Sequence, residues 1–182
     1  MQLIKEYVDY LVSFHAERDY FECHEIMEEF WKEHPEHPNR IGWLMLIQVA
    51  VGAYHARRGN LPGARKMWGA ALEKVSGGGV DFEAMALDGA RLEADLRERL
   101  AELAAAGEEA ERDYRYREMD LPLADAQLAE VCRREAEQRG LIWGAPSDMS
   151  RRELIDRHTL RDRSDVIEAR REELERRQSE RG

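Results

Sequence analysis

The feature that most limits how this chain can fold is the apolar segment at residues 41–55. Its run IGWLMLIQVAVGAY places apolar side chains on every side of a helix, and such a helix is surrounded by other elements in a soluble protein. The run is 14 residues long, shorter than the roughly 20 residues that cross a bilayer. The segment therefore predicts a central helix of a soluble fold and no membrane span.

Two polar side chains, Gln48 and His55, interrupt this apolar segment on one face, because seven residues make about two helical turns. Two glycines in the same segment, Gly42 and Gly52, each cost a helix about 1 kcal/mol relative to alanine. We expect that cost to be offset by the close approach of a neighbouring helix. A buried glutamine amide also needs hydrogen-bond partners, so polar groups are expected opposite Gln48.

The preceding segment, YFECHEIMEEFW at residues 20–31, has the periodicity of a second helix with a histidine inside its apolar face. His24 lies within the apolar arc and Glu28 lies one turn further on, where the two side chains can touch. The side chains expected to point toward solvent are Glu22, Glu25 and Glu29. If the two helices face each other, the predicted buried polar network consists of His24, Glu28, Gln48 and His55.

The charge and cysteine content exclude several classes of protein. The chain has 182 residues and a net charge of −10, and an acidic surface lacks the basic patch that phosphate contacts need, so general binding of nucleic acid is excluded. The ten arginines of residues 147–182 balance ten acidic residues, so the whole excess lies in residues 1–146. Cys23 and Cys132 form no disulfide framework, and we therefore expect a cytoplasmic protein.

Helical periodicity and the scarcity of proline predict an all-α fold. The body, residues 1–107, is expected to be a compact antiparallel helical bundle. Its predicted helices cover residues 2–17, 20–34, 39–58, 61–75 and 82–105. A helical extension, residues 108–146 with a helix at 123–138, is expected to dock on the body through Leu141, Ile142 and Trp143.

The charged tail, residues 147–182, is predicted to form an additional C-terminal helical arm. Ser150 and Glu153 have the spacing of a capping box, which predicts a short helix ending near Arg157. A last helix is predicted over residues 164–179, with too few apolar side chains to anchor it on the body. We therefore expect a homo-oligomer formed through this tail, or an unidentified protein partner.

Three stretches add a resemblance to these inferences: FECHEIMEEFW at 21–31, IQVAVGAYHARRGNLPGA at 47–64, and the DFEA and LEADL pattern within 82–96. Together they resemble the bacterial and archaeal family catalogued as domain of unknown function 309. The family's motif falls here on His24, Glu25, Glu28, Trp31, Gln48, His55, Arg58, Gly59 and Asn60. The resemblance covers roughly residues 8–105 and departs from the family at Cys23, where alanine is usual. It implies a compact all-α domain and supplies no activity.

The four residues of the predicted network, together with the motif residues that the resemblance adds, make up one candidate polar pocket, which comprises His24, Glu25, Glu28, Trp31, Gln48, His55 and Arg58. The favoured interpretation is a satisfied polar network in a non-enzymatic binding or structural module. Within it, Glu25 is expected to pair with an arginine such as Arg58.

The alternative interpretation is a metal-binding protein or metal-dependent enzyme in which His24, Glu28 and His55 hold zinc, iron or manganese. The spacing differs from the His-Glu-x-x-His helix of zinc proteases. A metal-free His–Glu pair acting as general acid and base is a third interpretation. Whether the protein is an enzyme stays open, and no cofactor is predicted apart from the divalent metal of the alternative.

Overall fold

A computed structural model of the chain describes residues 4–105 and 114–157. The α-helices of these residues are α1 (Lys5–Val12), α2 (Tyr20–Glu33), α3 (Arg40–Arg57), α4 (Leu61–Ser76), α5 (Gly89–Ala105), α6 (Ala126–Gln138) and α7 (Arg152–Ile155). A π-helical turn, Ser13–Glu17, continues α1. Within the described residues the one β-type pairing is an isolated antiparallel bridge between Leu87 and Leu123. The predicted all-α fold is confirmed.

The apolar helix α3 lies at the centre of the bundle, as its sequence predicts. Helices α2 and α4 pack on α3, α5 packs on α4, and α1 packs on α2 and α6. The links between α2, α3 and α4 are short, so these helices run antiparallel. Most of α3 is buried, which explains why apolar residues occupy nearly every position. The less buried positions, 41, 44, 48, 51 and 55, share one face of the helix.

Gly52 allows the close contact between α3 and α4. A Cβ atom at Gly52 would lie 2.3 Å from Cδ1 of Trp68, and the fully buried Trp68 donates its indole N–H to the Val49 carbonyl at 3.3 Å. The indole therefore lies directly on the α3 backbone. The predicted reason for a glycine in this helix is confirmed at this position.

Side chains at the helix starts set several boundaries. Asp19 accepts a hydrogen bond from the Glu22 amide at the start of α2, and Asn60 does the same for the Gly63 amide at the start of α4. Helix α3 ends at Arg57, and Gly59 follows it with a φ of 73°, a conformation that glycine adopts without strain. These boundaries lie within a residue or two of the predicted ones.

Two predicted helix starts are wrong because the chain makes other backbone contacts there. The helix predicted from residue 82 begins at Gly89, since the Asp88 amide donates to the Pro122 carbonyl and Leu87 pairs with Leu123. The helix predicted from residue 123 begins at Ala126, where the Asp125 side chain caps it. Both differences come from the contact between residues 87–88 and residues 122–123, which are distant in sequence.

The predicted capping box is also wrong. The Ser150 hydroxyl donates to Asp148 at 2.6 Å instead of capping a helix, and α7 is a single turn of four residues that begins at Arg152. The predicted last helix at 164–179, and the oligomer expected through it, lie outside the described residues and stay predictions.

Two buried arginines attach the segment at 114–122 to the body. Arg18 donates to the Met119 carbonyl at 2.9 Å and pairs with Asp120 at 2.9 Å. Arg99 donates to the Glu118 carbonyl at 2.8 Å. Because an arginine carries five donors in a fixed fork, one buried side chain can satisfy several carbonyls of a segment without regular secondary structure.

The apolar patch at 141–143 docks only in part. The Trp143 ring stacks on His15 with 4.5 Å between centroids, and Leu141 is partly buried against the core. Ile142, however, is 74% exposed, because three consecutive residues of a turn cannot all face one surface. Its predicted role in docking is therefore wrong.

None of the helices in the described ranges combines the length and the apolar character that a membrane span requires.

The contact between α3 and α4 predicts opposite effects for two glycine substitutions. Gly52→Ala should lower the free energy of unfolding by about 1–3 kcal/mol, because the new methyl group overlaps the Trp68 indole. Gly69→Ala in α4, where a Cβ would meet nothing within 4 Å, should raise it by about 0.5–1 kcal/mol through helix propensity. Urea unfolding followed by circular dichroism measures both changes, and equal effects would show that this contact is looser than described.

Candidate functional site

Three of the predicted pocket residues come together on α2. The His24 ring places Nδ1 3.0 Å from Glu25 Oε1 and Nε2 3.7 Å from Glu28 Oε2. The buried side of α2 is formed by Tyr20, Cys23, Met27 and Phe30, so His24 lies one position away from it and its side chain is 28% exposed. The predicted contact of His24 with Glu28 is present as a near approach, but the group is half-exposed and not buried.

Gln48 and His55 do not join this group. His55 Nδ1 lies 3.0 Å from the Asn60 amide nitrogen, at the start of α4. The Gln48 side-chain oxygen is buried and has no hydrogen-bond donor within residues 4–105 and 114–157. The contacts found for these two side chains among the described residues do not link them to His24 or Glu28.

The side chains that could hold a metal ion differ from the predicted set. In the described part of the chain, one ligand atom each from His24, Glu25 and Glu28 lies within 4.8 Å of the others. His55 is not part of this group, whereas Glu25 is. We call these three residues the His24 cluster.

The remaining two pocket residues contact other parts of the protein. The Arg40 guanidinium lies over the Trp31 ring, 3.6 Å from its centroid. Arg58 pairs with Asp156 at 3.0 Å, and its pairing with Glu25 stays a prediction. Asp156 follows α7, and sequence spacing alone gives no sign that it reaches the end of α3.

A cleft of about 570 Å³ opens between the start of α2 and α7. Among the described residues, five carboxylates line it, supplied by Glu17, Asp19, Glu22, Glu25 and Glu153. The other lining residues are Phe21, Arg151, Leu154 and Arg157. Because carboxylates outnumber guanidiniums, we call it the acidic cleft. Glu25 belongs to both the cleft and the His24 cluster, so the two are adjacent.

The Arg157 guanidinium lies inside the acidic cleft. It forms ion pairs with Asp19 and with Glu22, the latter at 3.1 Å. Its central carbon lies 5.7 Å from the centroid of the Phe21 ring. Two carboxylates and an aromatic face are the groups that a planar guanidinium binds best. The cleft is therefore built to hold an arginine side chain.

Glu17 is the carboxylate of the cleft that stays unmatched. It is half-buried, and no hydrogen bond or ion pair of its side chain is found among the described residues. Burial, followed by the nearby charge of Asp19, raises the pKa of Glu17, and the charges of Arg151 and Arg157 only partly oppose this. A carboxylate in this situation favours the arrival of another cation.

Both sides of the cleft are held by the same buried side chain, Arg57. Its Nη1 donates to the Arg18 carbonyl at 2.6 Å, directly before Asp19. Its Nη2 donates to the Leu154 carbonyl at 3.2 Å, in α7. The guanidinium also lies over the Tyr20 ring, 4.7 Å from its centroid. These contacts fix the distance between α2 and α7 before any ligand binds.

His15 lies in the buried layer that joins the body to the extension. Its Nδ1 is 3.4 Å from Asp120, which also pairs with Arg18. Its Nε2 is buried without a hydrogen-bond partner in the described ranges. Burial lowers the pKa of His15, and the charge of Arg18 acts in the same direction, against the opposing effect of Asp120.

Sequence reasoning did not find the acidic cleft. It assigned Glu22 and Glu25 to a solvated face, and Arg157 follows Asp19 by 138 residues. The one sequence signal for the cleft is the clustering of Glu17, Asp19 and Glu22 at a helix start. This clustering does not reveal that α7 and Arg157 form the other side of the cleft.

Comparisons with known proteins identify relatives but no activity. The model of the family described as "Domain of unknown function (DUF309)" matches residues 7–67. The "Uncharacterized protein YpuF" of Bacillus subtilis (strain 168) is 42% identical over 177 residues, which cover 97% of this chain and 98% of that protein. No solved structure matches significantly.

The buried His15 predicts a loss of stability on acidification. A histidine has a pKa near 6.5 when unfolded, and the folded state lowers it, so the unfolded state binds the proton more readily as the pH falls through that value. The free energy of unfolding should therefore decrease from roughly pH 7.5 to 5.5. In His15→Phe, which keeps a ring against Trp143, and in His15→Gln, this decrease should be smaller. Urea unfolding at each pH measures it, and slopes equal to the wild type would contradict the role of His15.

Proposed function

This chain belongs to the DUF309 family, and because the family description states no activity, we propose a function from the geometry of the acidic cleft. The protein is a binding module that takes an arginine-bearing segment of a partner protein into this cleft. The proposal involves no chemical step. It agrees with the acidic charge of the chain, −10 in total, which attracts cationic partners and speeds their association.

The observation that carries the proposal is the unmatched Glu17 beside a complete guanidinium site. Asp19, Glu22 and Phe21 already show the contacts that an arginine makes here, because Arg157 makes them. Glu17 adds a further carboxylate, which forms no ion pair among the described residues, although the charges of Arg151 and Arg157 act on it. An incoming arginine would meet carboxylates on one side and an aromatic ring on the other.

The same geometry favours arginine over lysine. A guanidinium is planar, so it can form two parallel hydrogen bonds to a carboxylate while its face lies on a ring. An ammonium group is compact and strongly hydrated, and it gains less from the Phe21 face. The carboxylates and the Phe21 ring of the cleft therefore favour binding of arginine over lysine.

Binding of a fluorescein-labelled peptide, Gly-Ser-Arg-Arg-Ser-Gly, tests this proposal by fluorescence anisotropy. Glu17→Gln should weaken binding about fivefold, because a partly exposed ion pair contributes up to about 1 kcal/mol. This substitution leaves the pairs of Arg157 with Asp19 and Glu22 in place. The matched control is Glu29→Gln, an exposed glutamate on the same helix, which should bind as the wild type does.

The peptide with two lysines in place of the arginines should bind more weakly than the arginine peptide. In Phe21→Leu this difference should shrink, because the aromatic face is lost. If the wild type binds neither peptide at low ionic strength, or if Glu17→Gln and Glu29→Gln weaken binding equally, the proposal is wrong.

A second candidate function, divalent-metal binding, is favoured by the His24 cluster. Its ligand atoms lie within 4.8 Å of one another, and one imidazole with two carboxylates suits zinc or manganese. The Lys32 ammonium lies 3.2 Å from Glu28 Oε1 and would compete with a metal ion for that carboxylate. The site is therefore expected to be weak.

Titration calorimetry with Zn²⁺ and Mn²⁺ tests the second candidate. His24→Ala should abolish the binding heat, and Lys32→Gln should increase affinity because the competing charge is removed. His34→Ala, an exposed histidine outside the cluster, is the control and should retain wild-type binding. Binding that survives in His24→Ala would place the metal elsewhere.

A further inference from the structure

We propose that Arg157 is a built-in competitor that occupies the acidic cleft in place of the partner's arginine. This inference rests on the proposed function and adds its regulation. The Arg157 guanidinium contacts Asp19, Glu22 and the Phe21 ring, the groups that the proposed function assigns to the partner's arginine. A partner arginine and Arg157 therefore cannot use the same groups at the same time.

The chain places Arg157 in the cleft through the contacts of the preceding residues. Leu154 and Ile155 are buried, and the Leu154 carbonyl accepts from Arg57 at 3.2 Å. Asp156 pairs with Arg58 at 3.0 Å. Arg157 follows directly, so its side chain extends from an anchored segment. An anchored side chain has a high effective concentration at its own binding site, of the order of millimolar for short links.

The contacts of Arg157 in the cleft can also be replaced by those of another arginine. Its side chain is 42% exposed, and Glu22 is exposed to a similar degree, so solvent can replace this pair at little cost. Asp19 is only 4% exposed, and leaving it unpaired would be costly. That cost disappears when an incoming guanidinium takes the place of Arg157. Exchange of one arginine for another is thus favoured over simple opening of the cleft.

The consequence is a lowered apparent affinity of the wild type. Because Arg157 must leave the cleft for the partner's arginine to bind, the measured dissociation constant exceeds the intrinsic one by the inverse of the fraction of molecules whose cleft is open without ligand. Any event that draws Arg157 away, such as a contact of its segment with the partner, would raise the affinity.

The test measures anisotropy of the labelled Gly-Ser-Arg-Arg-Ser-Gly peptide with the full chain. Arg157→Gln should bind the peptide at least about fivefold more tightly than the wild type, because the competitor is gone. Arg157→Lys, which keeps the charge but not the planar fork, should fall between the two. The matched control, Arg152→Gln, changes an arginine of the same segment that is 86% exposed, and it should bind as the wild type does.

The outcomes separate this inference from the function on which it rests. If the wild type and Arg157→Gln bind the peptide equally, or if Arg157→Gln binds more weakly, the competitor role is overturned while the binding function stands. If none of the proteins binds the peptide, the binding function itself is overturned. Circular dichroism of each variant shows that it is folded, and Arg157→Lys supplies the comparison if Arg157→Gln unfolds.

Discussion

The arrangement of this protein depends on one buried cation, Arg57. No carboxylate pairs with it in the part of the chain that the structure describes. Its Nη atoms donate to the carbonyls of Arg18 and Leu154 and to the Ser147 hydroxyl, and its guanidinium lies over the Tyr20 ring. Its buried Nε has no hydrogen-bond partner among the described residues. A buried charge is tolerated only when such groups surround it. The requirement to satisfy Arg57 therefore keeps α2 and α7 at a fixed separation, and the acidic cleft is the space between them.

This dependence explains how two distant segments make one site. The family model matches residues 7–67, which include the wall with Glu17, Asp19 and Glu22 but not the wall with Arg157. The Bacillus subtilis relative covers 97% of the chain, so its length includes both walls. The site we propose is therefore a property of the whole chain, and a fragment limited to the matched residues would lack half of it.

The sequence predicts those parts of the structure that local patterns determine. The apolar run of α3 and the close approach at Gly52 both follow from residue type and spacing. The start of α5 does not follow from local patterns, because the bridge between Leu87 and Leu123 determines where the helix begins.

In the candidate site, too, some features follow from local sequence patterns and others depend on contacts between distant residues. The position of His24 beside Glu28 follows from helical geometry. The partial exposure of His24 does not, since His24 lies only one residue away from the buried Cys23. Arg157 and Asp156 reach the body through contacts across about a hundred residues or more. Long-range pairing of charged side chains leaves no periodic signal in a sequence that is 36% charged.

The most direct measurement of the central claim is an NMR titration of the ¹⁵N-labelled protein with the arginine peptide. The account predicts that shifted amide signals map to residues 17–25 and 151–157, and shifts confined to other surfaces, or none at saturating peptide, would contradict it.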